Sequence, residues 1–218
     1  MKSRFELIIF DWDGTLSDSV GHITDLMIQS FILHNIKPPT RGEVADILGI
    51  KLSQAFDILL REKDQNASES ILNSYINLYN KNCNTLKLFD GVELGIKELF
   101  RSGYKIAIAT GGGRNYLDSC LKQTSIKDNI SITKTSDDCF SKPHPQMCKE
   151  IMDELIIEPE KSILIGDSIH DLQMAKNAGI ASLAVTYGAH NKDALSVYSP
   201  IGFVDHANLI FDWIRRHG

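Results

Sequence analysis

At 218 residues, 43% hydrophobic and 23% charged, the chain is long enough to bury a sizeable apolar core and has the composition of an ordinary globular protein without a low-complexity or disordered tract. Its 23 Lys and Arg against 28 Asp and Glu leave a net charge of -5, which disfavours general attraction to nucleic acid or an anionic membrane, so any anion must be handled locally. The first apolar run is too short for a signal sequence and no stretch approaches the ~20 apolar residues of a membrane span, while Cys83, Cys120, Cys139 and Cys148 form no CxxC pair or zinc-like spacing; a cytoplasmic protein with reduced thiols is expected.

In chain order, Phe5 to Phe10 is an apolar run bounded by charge, the signature of a strand buried on both faces. The segment from Leu16 to Phe89 carries only helical spacings, such as Ile23, Leu26, Met27 and Phe31 or Ile71, Leu72, Tyr75, Ile76 and Tyr79, and reads as an all-helical insertion. An amphipathic helix follows over Val92 to Phe100, then a strand over Lys105 to Thr110, a weaker strand over Ile130 to Thr133, and a helix over Pro145 to Leu155. Ser162 to Gly166 is a strand, Asp171 to Ala178 a helix ending at Gly179, and Ala181 to Thr186 a further strand. The alternation predicts an α/β fold, a doubly wound parallel-sheet core (1–15 and 90–218) with an inserted helical cap (16–89). Such sheets bind ligands beyond the carboxyl ends of their strands, which directs attention to the polar residues there.

The first strand runs into Asp11, Asp13 and Gly14, two carboxylates two residues apart beside a glycine that lets the chain turn. The strand at 162–166 likewise runs into Asp167 and Asp171, although Asp171 alone also fits a helix N-terminus. If these strands are adjacent, the four carboxylates converge, and a hard cation with oxygen ligands is the natural compensation; magnesium suits a site that also meets a phosphate. Thr110, Gly111 and Gly112 place a hydroxyl and backbone N–H groups at a third strand end and helix start, a ready anion site. Lys142 precedes Pro143 and Pro145, which flank His144 and stiffen the approach to the next helix, and could supply the cation that a phosphate among carboxylates needs.

Asp11 to Ser19 (DWDGTLSDS), Thr110, Lys142 and Gly166 to Asp171 (GDSIHD), in this order, resemble the haloacid dehalogenase superfamily, nearest its phosphoglycolate phosphatase-like branch, and the resemblance covers nearly the whole chain. It implies a magnesium-dependent phosphatase of small phosphate monoesters. Asp11 would be the nucleophile and Asp13 the general acid and base. Magnesium would be held by Asp11, the Asp13 main-chain carbonyl and Asp167, with Asp171 in support, and the phosphoryl group by Thr110 and Lys142. The 16–89 segment would be a mobile cap. After Thr110 many relatives carry Asn and Lys, whereas this chain has Gly111, Gly112, Gly113 and Arg114, so the resemblance does not extend to a named substrate. Arg41, Lys51 and Arg114 are candidate substrate contacts.

The chemistry is demanding: enzymes accelerate phosphate monoester hydrolysis by up to about 10²¹, and one positioned acid or base contributes only about 10² to 10⁴. A phosphomutase or a hydrolytic dehalogenase of the same superfamily, and a non-catalytic phospho-acceptor domain, are the alternatives. Asp13 and the Asp167 group argue against the dehalogenase, and the helical insertion argues against the phospho-acceptor.

Overall fold

The computed structural model describes residues 4–60, 65–82 and 87–218; Cys83 and the parts of the helical segment at 61–64 and 83–86 lie outside the described residues. Six parallel strands form one sheet: β1 (Leu7–Phe10), β2 (Lys105–Ala109), β3 (Ile132–Lys134), β4 (Ser162–Gly166), β5 (Ala181–Val185) and β6 (Gly202–Val204), in the order β3-β2-β1-β4-β5-β6. The strand order reverses at β1, which pairs with β2 on one side and β4 on the other, Phe10 lying between Ile108 and Ile165. The switch point where such sheets bind ligands is therefore at the end of β1.

Alternation along β1 explains the two layers. Ile8 and Phe10 point to the face covered by α5 (Val92–Arg101), α6 (Arg114–Lys122) and α10 (Ala207–His217), whereas Leu7 and Ile9 point to the face covered by α7 (Gln146–Leu155) and α8 (Ile169–Ala178). All four residues are fully buried, as the continuous apolar run requires. On the first face Gly95 of α5 lies directly against the Phe211 ring of α10, leaving no space for a side chain there. A short helix, α9 (Lys192–Ser196), completes the core.

Between β1 and α5 the described residues form helices only: α1 (Val20–Leu33), α2 (Arg41–Ala45), α3 (Leu52–Leu60) and α4 (Gln65–Asn82). They share their own apolar cluster, in which Phe31 stacks on Phe56 at 5.9 Å and Phe56 meets Tyr75 at 5.6 Å. The entering and leaving chains pair with each other: Asp18 N donates to Lys87 O at 2.9 Å and Phe89 N to Leu16 O at 3.0 Å, closing the ends of the segment side by side. Tyr116 of α6 packs against both this cluster and the sheet-side core.

The strands and helices lie where the sequence pattern places them, within two residues at each end. Beyond Thr186 the pattern assigned nothing, and the structure adds α9, β6 and α10. No helix among the described residues is long and apolar enough to cross a membrane. Cys120, Cys139 and Cys148 are free thiols.

Candidate active site

Because β1 and β4 are hydrogen-bonded neighbours, the residues just past them emerge together. Asp11 N still donates to Ile165 O at 2.9 Å, and the chain then turns at Gly14, whose φ of 77° favours glycine. A Cβ at Gly14 would also run into the Asp167 carboxylate, so glycine is required there twice over. Asp167 is fixed by Thr15 Oγ1, which donates to its Oδ1 at 3.0 Å, and by Ala189 N, which donates to Oδ2 at 2.7 Å.

Lys142 arrives from the loop before α7 and lies wholly buried between two carboxylates, its Nζ 2.5 Å from Asp11 Oδ1 and 2.6 Å from Asp171 Oδ1. Asp171 serves two purposes with its two oxygens. Oδ2 accepts from Ser168 N at 3.1 Å and Ser168 Oγ at 2.6 Å, closing a capping box at the start of α8, and Oδ1 holds the lysine. The helix therefore begins two residues before Asp171, with Ser168 at the N-cap and Asp171 at N3, and the other Asp171 oxygen meets Lys142.

Burial, then the charge of Asp171, raise the Asp11 carboxyl well above the usual range, with Lys142 pulling the other way and Asp167 adding to the rise. Burial and Asp171 push Asp167 up to about 7. Burial works against the charge on Lys142, but Asp11 and Asp171 outweigh it and raise its pKa above that of an ordinary lysine. Were all three carboxylates to serve as anionic ligands, they and the one ammonium would leave two negative charges in a water-poor site, which a divalent cation would balance. The donor set agrees: one oxygen from each of Asp11, Asp167 and Asp171 lies within 4.8 Å of the others, and carboxylate oxygens are the ligands hard cations prefer. The residues present thus fit a magnesium ion. Asp171 belongs to this group geometrically, and the Asp13 carboxylate does not.

Asp13 is held apart. Its Oδ1 accepts from Ser19 Oγ at 2.7 Å and from the Tyr116 hydroxyl. Burial raises its pKa, while the Tyr116 and Ser19 hydrogen bonds lower it. Tyr116 itself stays protonated, since burial and the neighbouring Asp13 raise its pKa.

Asp11, Asp13 and Thr110 open into one cavity of about 430 Å³ between the sheet edge and the helical segment, which neither Asp167, Asp171 nor Lys142 lines. Gly111, Gly112 and Gly113 form part of its wall. Part of the backbone here is already engaged: Gly112 N donates to Thr110 Oγ1 at 3.0 Å, and the following Arg114 N donates to Asp137 Oδ2 at 2.8 Å. The glycines also permit close packing, for a Cβ at Gly111 would collide with the carbonyls of Gly49 and Ile50 in the helical segment.

The two candidate arginines are engaged elsewhere. Arg41 pairs with Asp25 on the surface. Arg114 donates to Thr133 Oγ1 at 2.6 Å and Thr133 O at 3.0 Å, and pairs with Asp138. Lys51 anchors the segment through its backbone, its N–H donating to Ser141 Oγ at 2.7 Å. None of the three lines the cavity. Sequence reasoning passed over Thr15, Ser19, Ala189 and Tyr116; the first two sit inside the quoted Asp11 to Ser19 motif, whereas nothing local marks Tyr116.

A family model described as haloacid dehalogenase-like hydrolase matches residues 8–185. Pyrophosphatase PpaX of Bacillus cereus is 28% identical over 208 residues, 93% of each chain, and that of Bacillus anthracis is 27% identical over the same span. Among solved structures, a Bacteroides fragilis chain assigned as a haloacid dehalogenase-like hydrolase superposes with a TM-score of 0.86 at 25% identity, covering 94% of this chain and 99% of that one. A Haemophilus somnus protein named as a predicted phosphoglycolate phosphatase has the same fold, with a TM-score of 0.86 at 23% identity over 98% and 99% of the two chains. With its switch-point carboxylates and a family match over most of its length, the chain belongs to the haloacid dehalogenase-like hydrolases.

Proposed function

We propose that this protein is a magnesium-dependent phosphatase that hydrolyses a small phosphate monoester through a phosphoryl group carried on Asp11. The observation that carries the reading is the division of the carboxylates. Asp11 and Asp13 face the cavity, whereas Asp167 and Asp171 stay behind Asp11 with Lys142.

In this reading an Asp11 oxygen attacks phosphorus, forming an O–P bond as the bond to the leaving oxygen breaks. Asp13, held by Ser19 and Tyr116, gives its proton to that oxygen. Water then attacks phosphorus, Asp13 takes its proton, and the Asp11–phosphorus bond breaks to release inorganic phosphate. Asp11, the Asp13 carbonyl and Asp167, with Asp171 in support, would hold magnesium, which would supply positive charge to offset that of the transferring phosphoryl group. The Thr110 hydroxyl flanks the same group from the cavity, Lys142 supplies positive charge from behind Asp11, and the helical segment 16–89 acts as a cap that excludes water. The relatives named as pyrophosphatases support phosphoryl hydrolysis as the chemistry; a phosphoanhydride is the second reading they favour.

The test is a panel of phosphorylated small molecules assayed for released phosphate with magnesium and with excess chelator. Turnover that chelator abolishes and magnesium restores is expected, and full activity in chelator would remove the metal from the account.

A further inference from the structure

The cap side of the cavity has an unusual composition for a site that handles anions. Its wall is built from Met27, Ile47, Leu48, Leu52, Tyr75 and Tyr79, with Ile76 at the rim. No Lys, Arg or His lines the cavity among the described residues. A neighbouring cavity of about 470 Å³ contains Lys87, but neither Asp11 nor Asp13 lines it. Among the described residues, the polar side chains that line the Asp11 cavity besides Asp11, Asp13, Thr110 and the tyrosines are neutral: Asn115 and Ser119 of α6 and Gln123 just past its end, spaced four residues apart.

From this lining we propose that the leaving group of the natural ester is uncharged and largely apolar or aromatic, edged with neutral hydrogen-bonding groups, rather than a carboxylate or a second phosphate. The inference rests on the phosphatase reading above and names the substrate class of that site. A second anion would be stripped of water against aliphatic and tyrosine side chains, with no cation among the described lining residues to pair it, and it would share the cavity with Asp13. An apolar group would instead bury surface against the same wall, with the tyrosine rings available to stack. The volume is ample: about 150 Å³ holds one benzene ring, so about 430 Å³ accommodates the phosphoryl group and a ring-sized alcohol together.

The test compares kcat/KM for benzyl phosphate, propyl phosphate, phosphoglycolate and inorganic pyrophosphate with magnesium present. Benzyl phosphate should exceed phosphoglycolate and pyrophosphate, which each carry a second anionic group, by at least about tenfold, the lower end of what one apolar group yields in a hydrophobic pocket. Adding a cation to the wall should weaken the preference. Ile76→Arg, at a rim position 39% exposed, and Leu52→Arg, at a half-buried one, should each narrow the benzyl to phosphoglycolate ratio by about tenfold or more, and either variant suffices if the other fails to fold. Phosphoglycolate or pyrophosphate at or above benzyl phosphate in the wild-type protein would overturn the proposal. If no ester is hydrolysed, the phosphatase reading falls, and calorimetric binding of benzylphosphonate against phosphonoacetate still decides the cavity's preference. Tighter benzylphosphonate sustains the inference, and tighter phosphonoacetate overturns it.

Discussion

Lys142→Met removes a buried ammonium while keeping a side chain of similar length. In the wild-type protein the ammonium lies 2.5 Å from Asp11 and 2.6 Å from Asp171, with no exposed side-chain surface. Losing one partner of a buried pair costs about 3 to 5 kcal/mol, because the charge left behind has neither water nor a counterion. In a chain of this size each kcal/mol corresponds to about 2 to 4 °C in Tm, so the melting temperature should fall by about 6 to 20 °C. Total stabilities of about 5 to 15 kcal/mol leave most such variants folded, which far-UV circular dichroism would establish. Steady-state turnover should fall by at least about 10²-fold, as for loss of a preorganised charge beside a transferring group. Lys105→Met, at an exposed position, is the control and should change neither quantity. A folded Lys142→Met protein with Tm within about 1 °C of wild type and near-normal turnover would refute the placement of Lys142 as the internal counterion.

Three further outcomes follow from the same geometry. Tyr116→Phe deletes one of two hydrogen bonds to Asp13 without changing the ring that packs against Tyr79 at 5.2 Å, so kcat should drop by about tenfold or more while Tm stays nearly constant; an unchanged kcat would show that Tyr116 only fills space. Gly111→Ala forces the Gly49–Ile50 backbone away from the sheet edge and should lower kcat/KM, whereas Gly21→Ala in α1, with no neighbour within 4 Å, should not; equal effects would dissociate cap approach from activity. Metal-free protein should lose stability as pH rises from about 4 to 7, because the folded state holds protons on Asp11 and Asp167 above the ordinary carboxylate pKa and the unfolded chain does not. Magnesium at pH 8 should reverse the loss in a melting scan, and a metal-free Tm that rises over that pH range would contradict the charge balance.

How much of this was legible beforehand depended on what each element needs. β1, β2, β4 and β5 are buried on both faces, so each is a continuous apolar run that announces itself. β6 is three residues at a sheet edge, too short to carry a period. Helix α10 does carry one, with Ala207, Ile210, Phe211 and Ile214 buried at helical spacing, and was readable although unassigned. Asp11 and Asp167 were legible because a polar residue directly after a buried strand has few structural reasons to be there. The cations followed a different logic. Arg41 and Arg114 are long side chains that found nearer acids, a competition decided by three-dimensional neighbours. Tyr116 could not be read at all, because its hydroxyl reaches Asp13 only once α6 is packed beside the end of β1, across 103 positions of chain.

The central claim is that Asp11 carries the phosphoryl group and Asp13 moves the protons. In Asp13→Asn the main-chain carbonyl at that position remains but the acid is gone, so p-nitrophenyl phosphate, whose leaving group needs no proton, should still phosphorylate Asp11. A rapid-quench measurement with magnesium should show a burst of p-nitrophenol of at most one equivalent per site, followed by a stall. Mass spectrometry of the acid-quenched protein should place one phosphoryl group on Asp11, and Asp11→Asn should give neither burst nor adduct. Steady turnover of an alkyl phosphate by folded Asp13→Asn at the wild-type rate, with no phosphorylated protein at any time, would contradict the account.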